Sequence, residues 1–227
     1  MTYGYEGIKR TRYMYSFLRK RMVHLNLQIL YTCNFRCRIC DFWRAPFKDM
    51  PHISPDQVRL IAGKLKAMGP LIISVGGGEP LLHPDLVDIT YCLSRNNFPV
   101  MICNGWYVTA ENARALFKAG MHEVSISVDY ANPGKHDRQR GMEGAFQRAV
   151  NALKILNENR VWSWQRVHMI SVVMEDNLEE IEPLVHLAKK IGITYLVTRY
   201  SSGRGKKSSQ VFPKDVGEYL VKLRKKH

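Results

Sequence analysis

The chain has 227 residues, 45% of them hydrophobic and 24% charged, the size and make-up of one large soluble domain with a sizeable core. No apolar run approaches the length of a membrane span, the N-terminus lacks the apolar region of a signal peptide, and three of the five cysteines share one loop. These features favour a reducing cytoplasm over a secreted disulfide framework, while a formal net charge of +14 points to acidic partners: nucleic acid, anionic lipid, phosphorylated substrate or acidic protein.

Residues 1–24 form a basic and aromatic segment in which Lys9, Arg10, Arg12, Arg19, Lys20 and Arg21 are interleaved with Tyr13, Tyr15 and Phe17. Such a segment suits RNA or an anionic membrane surface, and equally a solvated helix capping one end of a domain; nothing in it singles out nucleic acid or lipid. A core spans residues 25–200. Leu25–Tyr31 reads as a strand, and Ser54–Met68 as a helix opened by an N-cap serine and a first-turn proline. The pattern then alternates: strand Leu71–Val75, helix Pro84–Asn96, strand Val100–Cys103, and helix Ala110–Ala119 stopped by Gly120. It continues with strand Val124–Val128, helix Gly144–Asn157 (apolar at Phe146, Val150, Leu153 and Leu156), and strand Val167–Val173. Helix Leu178–Lys190, stopped by Gly192, and strand Thr194–Thr198 complete the core. Residues 201–227 read as a basic loop, with a break at Ser201–Ser209, and a last helix, Val216–Lys226.

Six strand–helix units predict an α/β fold with a parallel sheet covered by helices, either an open doubly wound sheet or an incomplete barrel. In such folds functional groups gather on the loops that follow the strands. Strand one is followed by Cys33-Asn34-Phe35-Arg36-Cys37-Arg38-Ile39-Cys40. Three thiolates converging in one loop suit an iron–sulfur cube with one iron left open, where a substrate can bind. The spacing alone also admits structural zinc, although no fourth ligand lies nearby, and a chance group of buried cysteines. Gly76-Gly77-Gly78-Glu79-Pro80 follows strand two: the glycines would let backbone approach a ligand closely, and Glu79 beside exposed amides would suit an ammonium group, or the run is simply a tight turn. Asn104-Gly105-Trp106, Asp129-Tyr130, Glu175-Asp176-Asn177 and Ser201-Ser202-Gly203-Arg204-Gly205 follow strands three to six.

Cys33, Cys37 and Cys40 in a C-x3-C-x2-C pattern, followed after the next strand by Gly77-Gly78-Glu79-Pro80, resemble the radical S-adenosylmethionine (radical SAM) superfamily, and the likeness extends over about residues 25 to 200. In motif style the chain is similar to peptide and cofactor maturases, without an auxiliary-cluster C-terminal domain. The resemblance implies a partial (β/α)6 TIM-like barrel holding a [4Fe–4S] cluster on Cys33, Cys37 and Cys40. It implies an enzyme that reductively cleaves S-adenosylmethionine to a 5′-deoxyadenosyl radical, which abstracts hydrogen from a peptide, cofactor precursor or other small molecule. It places Gly77, Gly78 and Glu79 at the methionine amino group. Asn104, Ser127, Asp129 and Arg140 would also contact the cofactor, Arg140 by clamping a carboxylate from a loop. A low-potential electron donor such as flavodoxin or ferredoxin is implied, and its acidic surface would suit this basic chain. The residue before the third cysteine, commonly aromatic in the family, is Ile39, and Phe42 or Trp43 could take that place near adenine.

Cys92 reads as core, and Cys103 as either lining or filling the mouth. His52, His83 and His136 fall near the mouth and His168 on strand five, but none is assigned a catalytic role, and no acid or base is named. Two further function classes stand beside the first: an RNA-modifying radical enzyme, which would explain the charge, and a non-enzymatic metal-binding module, which would leave the Gly-Gly-Glu-Pro motif idle.

Overall fold

Six strands lie side by side in chain order in the computed structural model, each parallel to the next: β1 His24–Leu30, β2 Ile72–Gly77, β3 Phe98–Cys103, β4 Glu123–Ser127, β5 Arg166–Val173 and β6 Thr194–Arg199. The structure describes residues 3–199 and 216–226. β1 and β6 are the two ends of the sheet, so the architecture is a partial (β/α)6 barrel open on one side. The helices are α1 Tyr3–Leu18, α2 Pro55–Leu65, α3 Leu86–Ser94, α4 Ala110–Ala119, α5 Pro133–Arg140, α6 Ala145–Glu158, α7 Leu178–Ile191 and α8 Val216–Lys226.

Local chemistry explains most of these boundaries. Ser54 accepts from the Gln57 amide while the Gln57 side chain accepts from the Ser54 amide, so both orphan donors at the start of α2 are satisfied. Thr109 and Asn112 do the same for α4. Along the strands, alternate residues point to opposite faces. Leu25, Leu27 and Ile29 of β1, Ile73 and Val75 of β2, and Val124 and Ile126 of β4 join one core with Leu93, Leu116, Phe117 and Leu153 of the helices. The other face is unlike a closed barrel's packed interior: Asn26 and Ile102 are exposed and Gln28, Ser74 and Ser127 half-buried, so the concave side is an open, largely polar trough.

One element differs from the sequence reading. The segment placed on a loop around Arg140 is the helix α5, begun by Asn132, whose side chain accepts from the Lys135 amide, with Pro133 in the first turn and Gly141 as a left-handed stop. Its start and stop signals are all in the sequence, but it has almost no apolar residues, so hydrophobic periodicity passes over it. The N-terminal segment follows the capping-helix alternative: it is helical and lies across the N-terminal ends of the strands, with Lys9 donating to Ser94 O at 3.3 Å and Tyr13 packed edge-on to Phe98. Ser201–Ser209, including Gly203-Arg204-Gly205, lies outside the described residues. Among the described residues no helix is long and apolar enough to cross a membrane.

Candidate functional site

The cysteine loop leaves the end of β1 and is fastened on three sides. On the first, β2 continues its pairing into the loop: the Gly78 amide donates to Leu30 O at 2.9 Å and the Glu79 amide to Thr32 O at 2.9 Å. A Cβ at Gly77, where φ is +130°, would sit 1.9 Å from Leu30 O, and one at Gly78 would sit 2.0 Å from Thr32 O. The glycines therefore admit the chain's own backbone, where the sequence reading had them admit a ligand. On the second side, the end of α5 abuts the loop. Gln139 O accepts from the Arg38 amide at 2.9 Å, and a Cβ on Gly141, at φ +61°, would meet Arg36 O at 2.6 Å. On the third, Asn34 Oδ1 accepts from Asn104 Nδ2 at 2.8 Å.

Glu79 is buried, and its carboxylate is engaged inside the fold. Oε1 accepts from the Leu81 amide at 3.2 Å and Oε2 from the Asn104 amide at 2.8 Å, tying the loop after β2 to the end of β3. Burial pushes its carboxyl up to about 7 against the pull of those amides and of Arg140. The carboxylate that the sequence reading offers to an ammonium group thus also staples two loops from within the fold. Asn104 closes the same knot, its Oδ1 accepting from the Trp106 amide at 2.9 Å.

Cys33, Cys37 and Cys40 meet in an apolar pocket with Phe35, Ile39, Tyr130 and Met174, bordered by Trp106. Burial pushes the Cys33 thiol up to about 12 and raises Cys37 too, while Arg140 beside Cys37 pulls its thiol down. Arg140 is buried and lies within hydrogen-bond reach of Cys37; its Nη2 is 2.7 Å from Oδ2 of Asp129, which is fully buried. Asp129 Oδ1 accepts from the Val172 amide at 2.9 Å. The carboxylate that Arg140 clamps is thus one of the protein's own. Ser127 ends β4 at the rim, half-buried.

Sequence reasoning missed the supports behind this pair. Asn177, noted only as a residue after strand five, is buried and donates to Asp129 O at 3.0 Å and Val172 O at 2.8 Å. His136 is buried in α5 and accepts the Asp129 amide on Nδ1; burial and the nearby Arg140 lower its pKa to about 2, so it stays neutral. His83 faces Ile53 O and the Asp85 amide and packs against His52, beside a cavity of about 270 Å³ that also borders Thr32 and Leu82. Cys103 is core, Cys92 is partly buried against the same core, and the five cysteines form no disulfide. Phe42 packs on Tyr31 and Phe47, and Trp43 donates to Cys37 O at 3.3 Å, so both aromatics buttress the loop.

The residues fit an iron–sulfur cluster. Three soft thiol donors border one apolar cluster, Cys37 buried and Cys33 and Cys40 partly buried, with a guanidinium beside Cys37 to balance negative charge. Asn34 Nδ2, in the cysteine loop itself, and Arg140 Nε are buried without hydrogen-bond partners, donors that a bound acceptor would satisfy. Among the described residues no three His, Cys, Asp or Glu side chains are gathered for a single ion. A cube takes each thiolate on a different iron, so its ligands surround a volume.

Three comparisons bear on this geometry. The model of the radical SAM superfamily matches residues 27–188. An AdoMet-dependent heme synthase of Methanosarcina barkeri is 30% identical over 191 residues, covering 83% of this chain and 54% of that protein. The mycofactocin maturase MftC of Mycolicibacterium smegmatis is 30% identical over 183 residues, covering 80% of this chain and 45% of that protein. Streptococcus suis SuiB bound to its precursor peptide SuiA has a TM-score of 0.74 at 18% identity over the whole of this chain and 51% of that one, a likeness of fold. The chain spans about half the length of the curated relatives it matches.

Proposed function

The chain belongs to the radical SAM superfamily, and from that premise we propose that Cys33, Cys37 and Cys40 hold a [4Fe–4S] cluster which, with S-adenosylmethionine, makes the protein a radical enzyme of the maturase type. The observation that carries the proposal is the union of three thiols in one apolar pocket with a loop locked in place by Gly77, Gly78 and Gly141. When bound, the cluster and S-adenosylmethionine supply one-electron reductive cleavage of the sulfonium and a 5′-deoxyadenosyl radical that abstracts hydrogen. The protein's own residues do the rest. Phe35, Ile39, Tyr130 and Met174 exclude water from the thiol pocket. Arg140, fixed by Asp129, sets a positive charge beside Cys37. The Gly78 and Glu79 amides bond to Leu30 O and Thr32 O and the Glu79 carboxylate accepts from the Asn104 amide, which ties the loop after β2 to the cysteine loop and to the end of β3.

The substrate we propose is a peptide or a cofactor precursor. The concave trough carries the amides and hydroxyls of Asn26, Gln28, Ser74 and Ser127 beside apolar Ile102, and Gln28 Oε1 is a buried acceptor without a partner, the kind of group a substrate N–H satisfies. MftC is named for maturation of a cofactor, and SuiB is seen with a peptide. A low-potential donor with an acidic surface, such as flavodoxin or ferredoxin, would complement the +14 charge.

Anaerobic reconstitution of the wild type and of Cys37→Ala, with iron and sulfide analysis, tests the ligand assignment. The wild type is expected to take up about four irons per chain and the variant to lose the cluster. A Cys37→Ala protein with full iron content, or a wild type that retains zinc and no sulfide, overturns it.

A further inference from the structure

The helix α1 is amphipathic in the reverse sense. Its inward face presents Glu6, Lys9, Tyr13 and Ser16 to the barrel, three of them buried, whereas Ile8 is 62% exposed, Phe17 56% and Leu18 71%. The inward contacts are polar and specific. Lys9 pairs with Glu6 at 2.9 Å, Glu6 faces His122 Nε2 at 3.2 Å, and Ser16 lies where a Cβ on Gly69 would meet its Oγ at 2.8 Å. Apolar residues that a docked helix would normally bury are turned to the outside. Among them stand the cations Arg12, Arg19 and Arg21, all exposed, with Arg19 and Arg21 over the exposed Tyr15 ring. The helix's one acid is the buried Glu6, so no negative charge shows on its outer face.

A second element continues this surface at the same end of the barrel. The turn before β5 and the first residue of β5 carry Arg160, Val161, Trp162 and Arg166, with Val161 and both arginines exposed and Trp162 half-buried. Trp162 stacks on Trp164 and Trp164 on His122, which itself contacts Glu6 and Arg10 of α1. The two elements therefore share one support.

We propose that this face, opposite the thiol pocket, docks on an anionic lipid surface. Cations alone would suit RNA or an acidic protein, but neither nucleic-acid phosphates nor stacked bases give Ile8 and Leu18 a partner. A bilayer interface takes the aliphatic side chains into its acyl boundary, the tryptophan and tyrosine at headgroup level, and the arginines at the phosphates. The helix lies across the strand ends, so it would rest flat on the membrane and leave the mouth of the barrel facing away, free for substrate and electron donor.

Flotation of the purified full chain with vesicles of phosphatidylcholine alone, and of phosphatidylcholine mixed with phosphatidylglycerol, tests this. The wild type is expected to float with the anionic vesicles and not the neutral ones. Ile8→Glu and Leu18→Glu should each weaken binding by roughly tenfold, and Arg12→Gln by roughly fivefold. Leu60→Glu, at an exposed position on α2, should bind as the wild type does. Because Ile8 and Leu18 touch solvent, unchanged melting temperatures separate lost binding from lost fold. Equal flotation with both vesicle types, or anionic binding untouched by Ile8→Glu and Leu18→Glu, overturns the proposal. So does a solution dimer that these two variants dissolve, or binding to RNA without binding to vesicles.

Discussion

Gly77→Ala is expected to dislodge the cysteine loop. An alanine Cβ would stand 1.9 Å from Leu30 O, where a carbon–oxygen contact settles at about 3.3 Å. The obstacle is backbone, so the end of β1 must retreat by more than about 1 Å. That movement strains the 2.9 Å bonds from the Gly78 amide to Leu30 O and from the Glu79 amide to Thr32 O. Losing both costs about 2 kcal/mol, more if the groups stay buried and unpaired. A side chain at φ +130° adds about 1–3 kcal/mol of backbone strain. The expected loss is therefore roughly 3–5 kcal/mol in urea unfolding at neutral pH. Gly63→Ala is the control. That glycine is exposed inside α2, and its Cβ would meet nothing within 4 Å, so the change should stabilise by about 0.5–1 kcal/mol. A Gly77→Ala protein within about 1 kcal/mol of the wild type would refute the close-approach argument, and so would a Gly63→Ala protein equally destabilised.

Arg140→Ala leaves the fully buried Asp129 carboxylate without its guanidinium and should cost about 3–5 kcal/mol by the same urea measurement, with Arg140→Lys losing less. Stability should also depend on pH through the α1 attachment. At Glu6, burial raises the pKa but the bonds to His122 and Lys9 outweigh it, lowering the value from 4.5 to about 2. Its contribution is complete above the ordinary value and fades as pH falls toward 2. At His122, burial lowers the pKa but Glu123 and Glu6 outweigh it, raising the value above 6.5, so that contribution is complete below 6.5 and is lost as pH climbs through the raised value. Melting temperatures should peak at roughly pH 5–6 and decline on both sides. His122→Gln should flatten the alkaline decline, and an unchanged decline would contradict the assignment.

Much of the barrel was legible because its signals are local. The capping residue Ser54 and the stops at Gly120 and Gly192 bound helices where the chain itself satisfies the orphan amides and carbonyls. The cysteine and Gly-Gly-Glu-Pro motifs were legible as chemistry, but the partners of Glu79 and Arg140 were not. The partner of Glu79 was hidden because Asn104, whose amide donates to its Oε2, lies 25 residues along, just past the end of β3. Arg140 looked like a clamp for a ligand because Asp129 reaches it only once α5 has formed. The reversed face of α1 was hidden for a related reason. Its composition announced charge and aromatic rings, but which of them face the barrel depends on Ser94, Phe98 and His122.

The most direct measurement is the yield of 5′-deoxyadenosine when the anaerobically reconstituted chain is reduced with dithionite in the presence of S-adenosylmethionine. The expected result is 5′-deoxyadenosine and methionine from the wild type and none from Cys37→Ala. A chain carrying its full cluster that leaves S-adenosylmethionine intact would contradict the radical-enzyme reading, and product from Cys37→Ala would contradict the site.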